Sequence, residues 1–391
     1  MKRHKILLIT IAPPENVHGV RIVLYRHLVE HRTFEIKTAS LANNYSQSAI
    51  DVSLEYPFLI RKLRNSRFGP SVASWVKDYE CLIWCRRAHR QLDALIADFR
   101  PNAIMFLADN SLGEIALRLA RQHSLPTIGL FLDWIPIMKG YYGHAWSVSY
   151  LNGRFRRQYN QCDLAFCTSD GMIEELGPHH NSHVLYPIGG KHRIPPRRRS
   201  YNNKKFRLVY VGSVENFYGR MLCSLIRKSR EFPNLEIRIV GPNADWPSDD
   251  LDYARREGIY LGFKPPEKAA QELADADACL VVMSFEQEYE LFMRTSFTTK
   301  FLDYAAFGKP VILWGPDYCT PSRLATQQNA AVVIDKQNPE AVLMSIDSLR
   351  DDPEKINLYA SASRRLHRTI FNPDRLQTIF VDEITKMIDE R

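Results

Sequence analysis

Arg294-Thr295-Ser296-Phe297-Thr298-Thr299-Lys300-Phe301-Leu302-Asp303-Tyr304-Ala305-Ala306-Phe307-Gly308-Lys309-Pro310 runs directly into the apolar stretch Val311-Ile312-Leu313-Trp314. The spacing predicts a short capped helix with Phe301, Leu302, Ala305 and Ala306 on one face, ended by Gly308 and followed by a buried strand. Lys300 falls in the first turn, where the helix dipole disfavours a cation by a few tenths to about 1 kcal/mol. A bound phosphate reverses that penalty. Hydroxyls of Ser296, Thr298 and Thr299, free backbone N–H groups and the Lys300 ammonium therefore make a candidate diphosphate cradle, weighed against a plain capped helix with a solvated lysine.

Outward from this helix–strand step the same rhythm covers nearly the whole chain. Short apolar runs predict strands at 5–11, 34–38, 103–107, 127–132, 164–167 and 183–186 in the first half. Helical segments are expected near 20–30, 79–99, 112–122 and 146–160. The series restarts with strands at 206–211, 235–240, 260–261, 278–283, 311–314 and 331–334. Such alternation is the pattern of parallel sheets covered by helices, so the fold class is α/β. The break at 191–202, which holds Pro195-Pro196 and the triplet Arg197-Arg198-Arg199, reads as a linker with solvated charge. The expected organisation is a first Rossmann-like domain over 1–190, a second over 203–372, and a final helical stretch at 373–391.

Bulk properties exclude more than they select. The chain has 391 residues, 45% hydrophobic and 25% charged, which suits two folded cores and excludes a mostly disordered or collagen-like chain. Lys+Arg 52 against Asp+Glu 44 gives +8, a balance that favours anionic partners without choosing among them. Seven scattered cysteines without a CxxC pair predict buried free thiols in a reducing, cytoplasmic compartment. The basic start Lys2-Arg3-His4-Lys5 and its short apolar run read as a first strand rather than a signal peptide. No stretch reaches the roughly 18–20 apolar residues of a membrane span.

One region departs from the rhythm. The stretch 41–75 shows no clear order, and its part from Phe58 to Phe68 interleaves Arg61, Lys62, Arg64 and Arg67 with Leu59, Ile60 and Leu63. Such an element suits the headgroup region of an anionic membrane, or equally a packed helix with a solvated basic face.

Ligands of open parallel sheets bind beyond the carboxyl ends of the strands, which directs the search to the loops there. After the first strand come His18 and Gly19, before a helix whose N–H groups suit an anion. Asp133 follows the strand at 127–132 and is the candidate general base, with a helix-capping or loop-satisfying role as the alternative. Asp109 has a similar placement and ranks second, because Asn110-Ser111 beside it read as capping chemistry. In the second half, Gly212 and Ser213 end a strand, and the loop beyond leads to Gly219-Arg220, where Arg220 offers a fork of donors to phosphate or is a solvated helix residue. Asp250-Leu251-Asp252, Asp275-Ala276-Asp277 and His179-His180 read as chance groupings, so no metal site and no tightly bound cofactor are expected.

These residues together resemble the GT-B glycosyltransferases that use nucleotide-sugar donors. The resemblance rests on Val211-Gly212-Ser213, Ile239-Val240-Gly241, Tyr260-Leu261-Gly262-Phe263 and, above all, Ser296 to Pro310 with its Gly-Lys-Pro-Val ending. First-half strings from Leu164 to Met172 and Tyr186-Pro187-Ile188-Gly189 are similar too. The family likeness implies two Rossmann-like domains facing across a cleft, a donor held by the second domain through Gly212, Ser213, Arg220, Gly241, Ser296, Thr298, Thr299, Lys300 and Asp303, and an acceptor held by the first. It also implies that the last helix packs back on the first domain. Many retaining members carry two glutamates where this chain has Thr295 and Asp303, and a His-Asp pair becomes Leu132-Asp133. Asp133 with Lys300 resembles instead the membrane-associated bacterial glucuronosyltransferases of exopolysaccharide synthesis, which invert. The implied partners are a nucleoside-diphosphate sugar, a glycan or lipid-linked acceptor and an anionic membrane reached through Phe58 to Phe68, with no nucleic acid. A nucleotide-sugar epimerase of the same fold, or a silent nucleotide-sugar-binding subunit, are the alternatives.

Overall fold

The computed structural model describes residues 3–17, 19–41, 49–190 and 205–390. The chain divides into two compact units: residues 1–186 together with 376–391, and residues 187–375. The expected linker at 191–202, including Arg197 to Arg199, and the loop residue His18 lie outside the described residues.

The first unit holds seven strands: β1 Lys5–Ile9, β2 Glu35–Leu41, β3 Val52–Leu54, β4 Ala103–Leu107, β5 Thr127–Phe131, β6 Leu164–Cys167 and β7 Ser182–Val184. They form one parallel sheet in the order β3-β2-β1-β4-β5-β6-β7. β4, β5 and β6 are buried at every position, as continuous apolar runs require when helices cover both faces. The chain winds outward from β1 to β3, then returns to the other side of β1 to continue with β4. Loops leaving β1 and β4 therefore diverge and open a crevice at their carboxyl ends.

The final helix, Pro373–Asp389, adds its residues from Leu376 onward to this unit. Gln377 and His27 exchange hydrogen-bonding groups, ring nitrogen to Oε1 at 3.0 Å and Nε2 to the His27 carbonyl at 3.1 Å. Phe380 packs against His27, Phe34 and Phe166.

The second unit holds β8 Phe206–Val211, β9 Leu235–Val240, β10 Ala278–Val282, β11 Val311–Trp314 and β12 Val332–Ile334, all parallel, in the order β12-β11-β10-β8-β9. Here the winding direction reverses between β8 and β10. Phe206, Leu208, Tyr210, Leu280 and Val282 anchor its core with Leu222, Leu225 and Ile226 of the helix Asn216–Ser229.

Several elements differ from the expectations. The single helix expected at 79–99 is three pieces, Gly69–Leu82, the 3-10 turn Trp84–Arg86 and Arg90–Phe99, because Trp84 turns inward against Tyr56 and His89. Residues 20–30 begin as an α-helix, Val20–Leu24, and continue as a π-helix, Tyr25–Glu30. The stretch 41–75 contains the edge strand β3 and the helix Phe58–Arg64, too short for hydrophobic periodicity to mark. Tyr260 makes only an isolated bridge to Ile239. All seven cysteines are buried and free. Among the described residues no helix is long and apolar enough to cross a membrane.

Candidate functional site

In the second unit the sequence-selected residues converge on the end of β8. Lys300 lies in the first turn of the helix Thr299–Ala306, whose N-cap Thr298 accepts the Lys300 N–H through its hydroxyl. Its ammonium sits over the Tyr218 ring at 4.3 Å and the Tyr210 ring at 5.6 Å from the centroids. Desolvation pulls this ammonium down to about 8, with Asp303 opposing the shift. The lysine is half-buried, packed against the two rings, and desolvation of its ammonium outweighs the pull of Asp303.

Gly212 supplies the space. It follows β8 at φ +152°, and a Cβ there would stand 2.2 Å from Lys300 Cε. Gly241, at the end of β9, backs onto the same turn, since its own Cβ would meet the Gly212 carbonyl at 2.2 Å. Ser213 is exposed at the rim, and its carbonyl accepts from the Tyr210 hydroxyl. Tyr304 fixes the helix to the strand: its hydroxyl donates to the Val211 carbonyl at 3.0 Å and accepts the Val211 N–H at 2.9 Å. Asp303 accepts the Gly190 N–H at 2.8 Å. Ser296 is buried, and its carbonyl accepts from the Thr320 hydroxyl. Lys300, Thr298, Thr299, Gly212 and Ser213 thus gather at one strand end.

Gly219 and Arg220 lie in the helix Asn216–Ser229, where Gly219 is needed because a Cβ would press on the Val214 carbonyl at 2.6 Å. The guanidinium of Arg220, 55% exposed, is paired with Glu286, Nε to Oε1 at 2.9 Å and Nη2 to Oε2 at 2.7 Å. Thr295 is fully buried and donates to the Leu291 carbonyl at 2.7 Å, which explains a hydroxyl at this helix end. The paired acids are structural as well. Asp250 binds Arg227, and Asp277 accepts the Arg207 N–H at 2.8 Å. His179 approaches the Cys162 carbonyl at 3.0 Å and packs on Tyr159.

In the first unit Asp133 follows β5 on a turn fixed by the Ile135 N–H bonded to its carbonyl and by Trp134, buried with Nε1 donating to Asn152. The residue is half-buried. Gly19 holds a left-handed φ of +64° before the five-residue helix Val20–Leu24, whose Arg21 pairs with Glu15 of the preceding loop. Asp109 and Asn110 follow β4 at the crevice. Sequence reading missed the aromatic floor of Tyr210 and Tyr218 and the pair of the half-buried Lys77 with the buried Glu80. The one signal for the latter was the run Lys77-Asp78-Tyr79-Glu80 inside an otherwise apolar helix.

No protein-family profile and no curated protein match the chain. Solved structures do. The chain is similar to a sucrose-phosphate synthase from Thermosynechococcus elongatus at 12% identity, covering 100% of both chains with a TM-score of 0.69. It is similar to HepE of Anabaena, solved in complex with UDP, at 11% identity over 98% of this chain and 100% of that one, TM-score 0.63. A putative UDP-N-acetylglucosamine 2-epimerase from Listeria monocytogenes shares 12% identity over 100% of this chain and 98% of its own, TM-score 0.58. The fold is GT-B, two Rossmann-like α/β units in one chain.

Proposed function

We propose that the protein is a glycosyltransferase that moves a sugar from a nucleoside-diphosphate sugar to a hydroxyl acceptor. One observation carries the reading: Lys300, desolvated to about 8 over two tyrosine rings, stands at a helix start beside the side-chain-free Gly212. A diphosphate there gains a charge-assisted contact and helix N–H groups while restoring the charge that burial weakens. The HepE structures hold UDP or UDP-glucose, which favours a uridine diphosphate donor as the first probe.

The acceptor oxygen attacks the anomeric carbon, the bond from that carbon to the diphosphate oxygen breaks, and the diphosphate leaves with the electron pair. Asp133 takes the acceptor proton, which gives a single displacement with inversion. Lys300 and the helix start stabilise the leaving charge without a required metal or tightly bound cofactor. The acceptor is a glycan or lipid-linked precursor, met on the inner face of the cell membrane. The helix Phe58–Arg64 supports that location: none of its residues is buried, Phe58 and Leu59 are 66% and 75% exposed, and Arg61, Lys62 and Arg64 line its last turn.

Incubation with UDP-sugars and hydroxyl acceptors tests the reading. Transfer supports it. The epimerase likeness makes interconversion of the donor sugar the second outcome, and the buried Thr295 makes binding without turnover the third; either of these replaces the transferase reading.

A further inference from the structure

The lysines of this chain differ in what meets their ammonium groups. Lys37, Lys77, Lys228 and Lys355 hold theirs against a carboxylate at 3.5, 2.9, 2.7 and 3.2 Å, and Lys264 pairs with Glu272. Lys309 donates to the Ala276 carbonyl at 2.6 Å. Lys62 and Lys268 are exposed to water. Lys300 fits none of these cases. It is half-buried, its nitrogen lies 4.3 and 5.6 Å from the ring centroids of Tyr218 and Tyr210, and nothing among the described residues accepts a hydrogen bond from it. Asp303 acts on it through space, while its own Oδ1 accepts the Gly190 N–H at 2.8 Å.

The difference is a chemical one. A carboxylate or water holds the proton on nitrogen, whereas ring faces stabilise the cation by only about 0.5–2 kcal/mol and accept no conventional hydrogen bond. A lysine desolvated in this way is the activated form of the nucleophile. Burial pulls Lys300 down to about 8, so at pH 8 about half of it is free amine, against roughly 0.5% of an ordinary lysine near 10.4. Packing also aims the nitrogen. The side chain runs beside Gly212, where a Cβ would stand 2.2 Å from Cε and 3.1 Å from Nζ, and the exposed Ser213 follows at the rim. The amine is thus held at the carboxyl end of β8, beside the start of the helix Thr299–Ala306.

We propose that Lys300 is a modification site, acylated at Nζ by acyl phosphates, and that acylation closes the donor site. An acyl phosphate carries both the anion that suits the helix start and the electrophile that the amine needs. The amine lone pair attacks the acyl carbon, the bond from that carbon to the phosphate oxygen breaks, phosphate leaves with the electron pair, and the nitrogen passes its proton to water. The amide product has no charge, so a diphosphate loses its cation. The closing of a donor site rests on the transferase reading; the reactivity of the amine does not.

The test uses the full chain with acetyl phosphate at pH 8, each lysine being followed by peptide mass spectrometry. Lys300 should acetylate at least about fivefold faster than Lys62 and Lys268, because the gain in free amine outweighs its lower basicity. UDP should slow Lys300 alone. The preference for Lys300 should be smaller with the N-hydroxysuccinimide ester of acetic acid, which has no phosphate. Acetylated wild type should bind UDP about tenfold or more weakly in calorimetry. Lys300→Arg, carried through the same treatment, should keep the affinity it had before, which excludes acylation elsewhere as the cause. Acetylation of Lys300 at or below the rate of Lys62 and Lys268 overturns the modification site, even if UDP binds through Lys300. An equal preference with both reagents overturns the choice of acyl phosphates. Selective acetylation in a chain that binds no UDP overturns the donor reading and leaves the modification site standing.

Discussion

The Lys300 side chain runs through the space that Gly212 leaves empty, so that a Cβ on Gly212 would stand 2.2 Å from Lys300 Cε and 3.1 Å from its Nζ. Packing therefore aims the cation. Lys300→Ala should weaken UDP binding by about 1.5–3 kcal/mol, roughly 10- to 150-fold in Kd, with little change in Tm. Gly212→Ala should act on the same interaction by expelling the lysine. A double variant should bind UDP no more weakly than Lys300→Ala alone, and additive losses in calorimetry would separate the two residues.

The same lysine sets a pH dependence. Its pKa lies near 8 in the free protein, so the cation is lost as pH rises through about 8, and UDP affinity should fall above that value. A diphosphate favours the charged form and raises the pKa, so binding near pH 8 should take up a fraction of a proton. Titrations in buffers of different ionisation enthalpy measure that uptake. Lys300→Arg should abolish it, while a flat affinity from pH 7 to 9.5 in the wild type would remove Lys300 from the phosphate.

A separate titration concerns the docking of the last helix in the first unit. His27 is buried against Gln377 and Phe380, and burial lowers its pKa from 6.5 to about 4. Between these values the unfolded chain binds the proton and the folded chain does not, so stability is full above about pH 6.5 and declines as pH falls toward 4. The loss attributable to this residue should reach about 2 kcal/mol at pH 5. Denaturant unfolding at pH 7 and pH 5 checks it: His27→Gln should lose less stability than the wild type over that interval.

The strands were legible where burial on both sheet faces makes an uninterrupted apolar run. β4, β6, β8, β9 and β11 fall at the residues expected from sequence. β3 was not, because a three-residue edge strand has too little sequence to show a period. The Lys300 helix was legible through its cap and its terminal glycine. The pairing of Arg220 with Glu286 was not legible, because the two lie 66 residues apart and only the topology joins the end of β10 to that helix. Tyr56 and Ser111 likewise reach Glu80 from segments separate from its own helix, and that satisfaction is invisible in one dimension.

The exposed helix Phe58–Arg64 makes a membrane prediction. If it docks on an acidic surface, binding should require anionic lipid and weaken with salt, since each surface Lys or Arg contributes about 1 kcal/mol. Vesicles with and without phosphatidylserine provide the measurement. Reversal of Arg61, Arg64 and Arg67 to glutamate should release the protein, and equal sedimentation of wild type and variant would return the helix to a solvated face.

The last prediction concerns proton removal. Asp133 follows β5 at a carboxyl end, half-buried on a turn held by Trp134 and Ile135. A base within reach of the acceptor hydroxyl contributes roughly 10²–10⁴-fold to turnover. Asp133→Asn preserves the shape but cannot take the proton, so kcat should fall by that factor while UDP binding stays near the wild-type value. The product of the wild type should carry the opposite anomeric configuration to the donor, which proton NMR of the anomeric position reads directly. Near-normal turnover by Asp133→Asn would remove this carboxylate from the mechanism. Retention of configuration would remove the single displacement even if the substitution were damaging, because one inverting attack cannot return the starting anomer.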